Sequence, residues 1–151
     1  MNILVSACLL GVCCKYNGTQ NLTEEVLKLR EHYTLIPVCP EQLGGLTTPR
    51  EPVELVGIEQ KAMMRSGKEV TAAFIKGAQE TLRVAQLLDC KVALLKENSP
   101  SCGFGTIYDG SFSGKKIAGN GMTADYLDKN GIPVFGESQI EALKEYLNRQ
   151  D

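Results

Sequence analysis

Three cysteines, Cys8, Cys39 and Cys102, each follow a segment with the pattern of a buried β-strand. The residues around them are prolines, glycines and small hydroxylated side chains, a composition typical of loops and not of a packed core. In an open parallel α/β sheet, ligands bind at the carboxyl edge of the strands. The sequence therefore predicts that the three thiols meet at that edge, where their thiolates could bind a soft metal or an iron–sulfur cluster.

The kind of metal depends on the number of available ligands. A structural zinc site takes four cysteine or histidine ligands, and the single histidine, His32, falls in a predicted helix near the opposite end of the sheet. Three thiolates suit a [4Fe–4S] cluster with one open iron, the position that a catalytic metal site keeps for its substrate. The adjacent Cys13 and Cys14 remain possible fourth ligands. Cys90 precedes a strand and is expected at the amino edge, as a structural residue.

Polar residues close to the second and third cysteines are candidates for acid–base chemistry. Glu41 stands two residues after Cys39 and could act as general acid or base, with a solvated loop acid as the alternative. Ser99 and Ser101 precede the third cysteine, and either hydroxyl could donate to a substrate or to a cluster sulfide, although serines are also frequent in turns. Lys96 and Arg50 add positive charge that could serve only to solvate the rim of the site.

Gly119, Asn120 and Gly121 form a glycine-rich turn before a predicted helix. The turn fits a loose G-x-G-x-x-A pattern, but no convincing long strand precedes it, so a dinucleotide-binding fold is poorly supported. A narrower hypothesis remains, in which the turn and the helix N-terminus hold one anionic group of a ligand. A plain flexible loop would have the same sequence.

Length and composition indicate one ordinary globular domain over residues 1–151, with 43% hydrophobic and 23% charged residues. A formal net charge of -2 and a pI near 5.5 give no basic surface for double-stranded nucleic acid, so a small anionic or neutral ligand is the better expectation. No apolar run approaches the roughly 18 residues of a membrane span. Without an export signal, a reducing cytoplasm is expected, where six cysteines are free, catalytic or metal-bound and not paired as disulfides.

The hydrophobic pattern alternates between strands and helices. Strands are predicted at 2–6, 34–38, 92–95 and 132–135, and helices at 23–32, 70–88, 123–129 and after Ser138. Asn21 with Glu24 and Ser138 with Glu141 are possible capping boxes. Residues 39–52 and 96–121 are predicted as loops and 53–67 as a short hairpin. This order predicts a single-domain, three-layer, Rossmann-like α/β fold with a mostly parallel sheet.

The motifs around the cysteines resemble those of the DUF523 family, whose characterised relatives are thiouracil desulfidases. The resemblance covers nearly the whole chain and rests on four ordered motifs: Ser6-Ala7-Cys8-Leu9-Leu10-Gly11, Pro37-Val38-Cys39-Pro40-Glu41-Gln42-Leu43-Gly44-Gly45, Ser99-Pro100-Ser101-Cys102-Gly103 and Tyr108-Asp109-Gly110-Ser111-Phe112.

By this resemblance, Cys8, Cys39 and Cys102 correspond to the three cysteines that hold a [4Fe–4S] cluster in the family, whose fourth iron takes the sulfur of a thiolated base. The likeness implies a non-redox desulfuration in which water, activated by Glu41, replaces sulfur and sulfide is released. The expected substrate is thiouracil, thiouridine or its monophosphate. Larger relatives carry an extra C-terminal domain that this chain lacks, which argues against tRNA as the substrate. The negative net charge of the chain argues against tRNA as well.

Other classes of function use the same residues differently. A non-catalytic iron–sulfur or zinc-binding module would need the three cysteines but no acid–base residue. A thiol redox sensor would rely on Cys13 and Cys14 instead.

Overall fold

Short apolar runs form the strands of a central parallel sheet. In the computed structural model, which describes residues 1–150, the strands are β1 (Asn2–Ser6), β2 (Thr34–Val38), β3 (Val53–Val56), β4 (Lys61–Met64), β5 (Cys90–Leu95), β6 (Thr106–Tyr108), β7 (Lys116–Ala118) and β8 (Val134–Gly136). The central sheet has the order β2-β1-β5-β8, and all its neighbouring strands are parallel. The predicted α/β class and mostly parallel sheet are therefore confirmed.

Helices cover both faces of this sheet. They are α1 (Glu24–Leu27), α2 (Pro40–Leu43), α3 (Thr71–Leu87), α4 (Met122–Lys129) and α5 (Ile140–Arg149). Side chains alternate between the faces of a strand, so Leu4 packs in one core with α3 and α4, while Ile3 and Val5 pack in another with α1 and α5. Within residues 1–150, no helix is both long and apolar enough to cross a membrane.

Two antiparallel hairpins lie outside the central sheet. One joins β3 to β4, as predicted for residues 53–67, and the other joins β6 to β7. A third core joins the hairpins to α3, because Ile107 of β6 and Leu55 of β3 are buried together with Phe74. The prediction of loop for 96–121 missed the second hairpin, since three-residue strands are too short to show a period. The prediction of loop for 39–52 missed α2.

Both predicted capping boxes are wrong, because the side chains make contacts with distant segments instead. Asn21 donates its side-chain N–H to Cys8 Sγ at 3.5 Å, and α1 begins without a side-chain cap. The Ser138 hydroxyl donates to Glu97 Oε2 at 2.7 Å. Such contacts compete with the local hydrogen bonds on which a capping pattern depends.

Candidate active site

The strand order of the sheet brings the three predicted cysteines to one place. Cys39 directly follows β2, Cys8 lies in the short 3₁₀ turn after β1, and Cys102 lies in the loop after β5. These three strands are consecutive neighbours in the sheet. All three cysteines line one cavity of about 550 Å³.

The loop that carries Cys102 is fixed by the first turn of α4. The carbonyl of Pro100 accepts the amide N–H of Met122 at 2.9 Å, and the carbonyl of Ser101 accepts those of the next two residues at 2.9 and 3.0 Å. Gly121 permits this close approach, because a Cβ atom there would lie 2.6 Å from the carbonyl carbon of Ser101. The helix N-terminus therefore binds backbone carbonyls of the Cys102 loop.

The same contacts argue against the anion site predicted at Gly119, Asn120 and Gly121. The amides of the two glycines donate to the carbonyls of Gly105 and Gly103, at 3.1 and 2.6 Å, and Asn120 Oδ1 accepts the Gly105 amide at 2.8 Å. None of the three residues lines the cavity. Their hydrogen-bonding groups hold neighbouring loop segments together, which gives this turn a positioning role.

Glu41 lies on α2, which is packed directly against the backbone of α3. A Cβ atom on Gly44 would clash with the carbonyl of Ala73, and one on Gly77 would clash with the carbonyl of Pro40. The two glycines thus allow the helices to touch. This contact fixes the position of α2, and with it the direction in which Glu41 enters the cavity wall.

The Glu41 carboxylate is held on both of its oxygens. Arg50 Nε lies 3.1 Å from Oε1, and the hydroxyl of Ser101 donates to Oε2 at 3.0 Å. The side chains of Arg50 and Glu41 are 3% and 14% exposed. Glu41 is therefore a positioned, mostly buried acid, which does not fit the alternative of a solvated loop residue.

Ser99 and Ser101 form a directed chain of hydroxyl groups that ends at Glu41. Ser99 Oγ accepts the amide N–H of Ser101 at 3.2 Å and that of Cys102 at 3.1 Å. Its own proton is then free to donate to Ser101 Oγ, 3.1 Å away, while the Ser101 proton points to the carboxylate. Such a chain orients the Glu41 carboxylate and can pass a proton toward it without displacing a heavy atom.

Arg50 is a central residue of the site and not part of its solvated rim, as its charge alone had suggested. Besides Glu41, it donates from Nη2 to the carbonyl of Cys14 at 2.9 Å and lies 3.9 Å from Cys39 Sγ. One guanidinium therefore links the Cys14 loop, α2 and a cavity cysteine. Lys96, the other predicted charge, also lines the cavity and pairs with Glu137 at 2.8 Å.

Cys14 is a fourth thiol in the cavity wall. It is buried and donates hydrogen bonds to the sulfurs of Cys8 and Cys39, which raises its own pKa. The same hydrogen bonds are the main cause of a lowered pKa in both acceptors. With further help from the Gln42 amide and Arg50, the pKa of Cys39 falls to about 6, and that of Cys8 falls to about 7.

The remaining cysteines and the histidine have different environments. Burial raises the pKa of Cys102 to about 12, partly offset by the nearby hydroxyls of Ser6 and Ser101. Cys13 is exposed and does not line the cavity, in contrast to its neighbour Cys14. Cys90 begins β5 opposite Asn2, at the amino edge, as expected.

The donor set fits a cluster better than a single ion. Thiolate is the ligand form of cysteine, and two of the three predicted ligands have lowered pKa values, while a bound metal would deprotonate the third. Among residues 1–150, no three His, Cys, Asp or Glu side chains are arranged to hold one metal ion. In a [4Fe–4S] cluster the irons occupy alternate corners of a cube, so thiolates bound to different irons lie farther apart than thiolates bound to one ion.

The family follows from comparison with known proteins. The model of the family described as 2-thiouracil desulfurase matches residues 3–139. The chain belongs to this family. The resemblance seen in the motifs is therefore confirmed, as is the expectation of an enzyme that removes sulfur from thiouracil.

Two relatives of this desulfurase cover nearly all of its length. The chain is 44% identical over 149 residues to the uncharacterised protein YbbK of Bacillus subtilis. This match spans 93% of the chain and 99% of YbbK. The solved structure of the [4Fe-4S]-dependent thiouracil desulfidase TudS is 41% identical and superposes with a TM-score of 0.91 over 97% of each chain.

Two residues of the desulfurase site have roles that the sequence alone did not reveal. Arg50 follows a proline in a predicted loop, where nothing indicates that it reaches Glu41 or the Cys14 carbonyl. Cys14 was a candidate only because it is a cysteine next to another one. Its neighbour faces solvent, and the local sequence does not indicate which of the two enters the cavity.

Proposed function

We propose that this protein binds a [4Fe–4S] cluster through Cys8, Cys39 and Cys102 and converts a thiolated pyrimidine to its oxo form. The observation that carries the proposal is that the three thiols and the Glu41–Ser101 pair line the same cavity. The desulfidase TudS, which shares the fold over 97% of the chain, is described as [4Fe-4S]-dependent. A reducing compartment such as the cytoplasm suits exposed and cavity thiols that are all free.

The reaction exchanges sulfur for oxygen without a change of redox state. A thiocarbonyl and one water give a carbonyl and hydrogen sulfide, so no electron donor or acceptor is needed. When bound by three thiolates, a [4Fe–4S] cluster supplies one open iron as a Lewis acid for the sulfur of the substrate. The protein must supply the base that activates the water and the geometry that directs it.

Glu41 is the proposed general base. Arg50 holds one carboxylate oxygen, so the other keeps its orientation toward Ser101 and the cavity. The carboxylate takes a proton from the attacking water. Glu41 then returns that proton to the departing sulfide, while the hydroxyl of Ser101 stays hydrogen-bonded to its carboxylate. Glu41 thus carries the proton transfers of both steps, and Ser99 and Ser101 keep its carboxylate in position.

The substrate is a thiouracil, a thiouridine or a thiouridine monophosphate. A cavity of about 550 Å³ is of the size that binds small organic ligands and can hold more than a single pyrimidine ring. Lys15 and Arg65 also line it, and neither forms an ion pair with a carboxylate within residues 1–150. These two cations would give a monophosphate a contact that the free base lacks. The formal net charge of -2 does not favour a large polyanion such as tRNA.

Anaerobic reconstitution followed by an assay of sulfide release tests this proposal. Iron-loaded protein should convert at least one thiolated pyrimidine, with sulfide and oxo product appearing in equal amounts. The substrates to compare are 2- and 4-thiouracil, the matching nucleosides and their monophosphates, with iron-free protein as the control. A protein that binds the cluster but releases no sulfide from any of them would be a non-catalytic iron–sulfur module, and the proposal would be wrong.

A further inference from the structure

The Tyr108–Phe112 motif has no role in the reaction described above, yet it forms part of the cavity wall. Tyr108 ends β6, and Phe112 follows in the turn toward β7. Both rings line the cavity that also contains the three cysteines. Phe112 is partly buried and carries no polar atom on its side chain, so its ring gives the cavity an apolar, aromatic surface.

Glu54 of β3 holds this turn in one conformation. A single carboxylate oxygen, Oε1, accepts the amide N–H of Gly110 at 2.9 Å and that of Phe112 at 3.1 Å. Gly110 has φ +93°, and a Cβ atom there would lie 2.7 Å from the carbonyl oxygen of Leu55. Phe112 itself has φ +55°, which a bulky residue adopts only when its surroundings impose it. The position of the ring is therefore set by contacts with β3.

A cation covers the Phe112 ring on one side. The guanidinium carbon of Arg65 lies 5.7 Å from the ring centroid, within the range of a cation–π contact. Arg65 also lines the cavity. Because Phe112 lines the cavity, its ring offers an aromatic contact to the substrate, and thiolated pyrimidines are flat and aromatic.

We propose that Phe112 is the stacking surface for the pyrimidine ring of the substrate and that Glu54 is its positioning residue. This inference rests on the proposed function, since it assigns the wall that orients the substrate in that reaction. Stacking depends on the aromatic face and not on the hydrogen-bonding pattern of the base. Phe112 therefore fixes the plane of the pyrimidine ring. The reacting edge of the pyrimidine contacts the side of the cavity that is formed by the three cysteines and Glu41.

Substitutions of Phe112 in the iron-loaded protein test the stacking role. Phe112→Leu should raise KM for the thiolated pyrimidine by about 5- to 150-fold, the usual cost of losing one base–aromatic stack. The Kd of the oxo product, which is not turned over, should rise by a similar factor. Iron content should not change, and Phe112→Tyr should remain within about threefold of the wild type. Phe104→Leu is the matched control, because Phe104 is exposed and does not line the cavity.

Substitutions of Glu54 test the positioning role separately. Glu54→Ala should reproduce the rise in KM, whereas Glu54→Gln should restore most of the affinity, because an amide oxygen can accept the same two N–H groups. If Glu54→Gln were as impaired as Glu54→Ala, the positioning role would be wrong.

The outcomes for the inference and for the proposed function are distinct. An active wild type with an unchanged KM and product Kd in Phe112→Leu would overturn the stacking role alone. Loss of affinity in Tyr108→Leu but not in Phe112→Leu would also overturn it, by assigning the stack to the other ring. An iron-loaded wild type that neither binds nor desulfurates any thiolated pyrimidine would overturn both proposals.

Discussion

Arg50 and Glu41 form a buried ion pair, with Arg50 Nε 3.1 Å from Glu41 Oε1. The pair joins the loop before β3 to α2, and the same guanidinium reaches the carbonyl of Cys14. A charge that is buried to this degree requires its partner. The carboxylate that we propose as the general base is therefore oriented by Arg50.

Replacing Glu41 by Gln should reduce turnover by something like 10²- to 10⁴-fold, the usual contribution of one general acid or base. The amide keeps the size of the side chain but cannot accept the proton of the water. Iron content should persist, since Glu41 is not a proposed ligand. Glu80→Gln, on the exposed side of α3, is a matched control that should change neither quantity. Wild-type turnover with a full cluster would assign the activation of water to another group, with Ser101 or Ser99 the next candidates.

Replacing Arg50 by Met should destabilise the iron-free protein by about 3 to 5 kcal/mol, because it leaves the Glu41 carboxylate buried and unpaired. Urea unfolding measures this change. The double variant Arg50→Met with Glu41→Gln should recover a good part of the loss, since no unpaired charge remains. Strictly additive effects of the two substitutions would show that the ion pair does not couple these residues.

The thiols of the iron-free protein should differ in their reaction with iodoacetamide as the pH changes. The thiolate is the reactive form, so alkylation of Cys39 should increase as the pH rises through about 6 and that of Cys8 through about 7. Cys102, with a pKa of about 12, should remain unlabelled in this range. Cys14→Ala removes the hydrogen bonds that lower both pKa values, so both transitions should move to higher pH. Identical profiles in the wild type and in Cys14→Ala would contradict the assigned role of Cys14.

The sequence was sufficient to predict how the three cysteines meet. The buried runs that become β1, β2 and β5 are each followed by a cysteine-bearing loop, and parallel strands place such loops at one edge. The alternation of strands and helices is equally a property of the local pattern. These features depend on the periodicity of hydrophobic residues over short segments, which can be read from a single sequence.

Contacts between distant segments could not be predicted in this way. Arg50 bonds to the Cys14 carbonyl across 36 positions of the chain, and Glu54 bonds to Phe112 across 58. The turn at Gly119–Gly121 has the composition of an anion-binding loop, yet its glycine amides are used by Gly105 and Gly103. Only the packing of the loops decides whether such groups face a ligand or another backbone segment.

The iron content of the cysteine variants after anaerobic reconstitution tests the central claim most directly. Cys8→Ser, Cys39→Ser and Cys102→Ser should each lose the cluster and all sulfide release. Cys13→Ser, Cys14→Ser and Cys90→Ser should keep about four irons per chain, as a cluster held by three thiolates requires. Equal iron content in Cys8→Ser, Cys39→Ser, Cys102→Ser and Cys90→Ser would contradict the assignment. Loss of the cluster in Cys14→Ser would instead indicate four protein ligands and no open iron for the substrate.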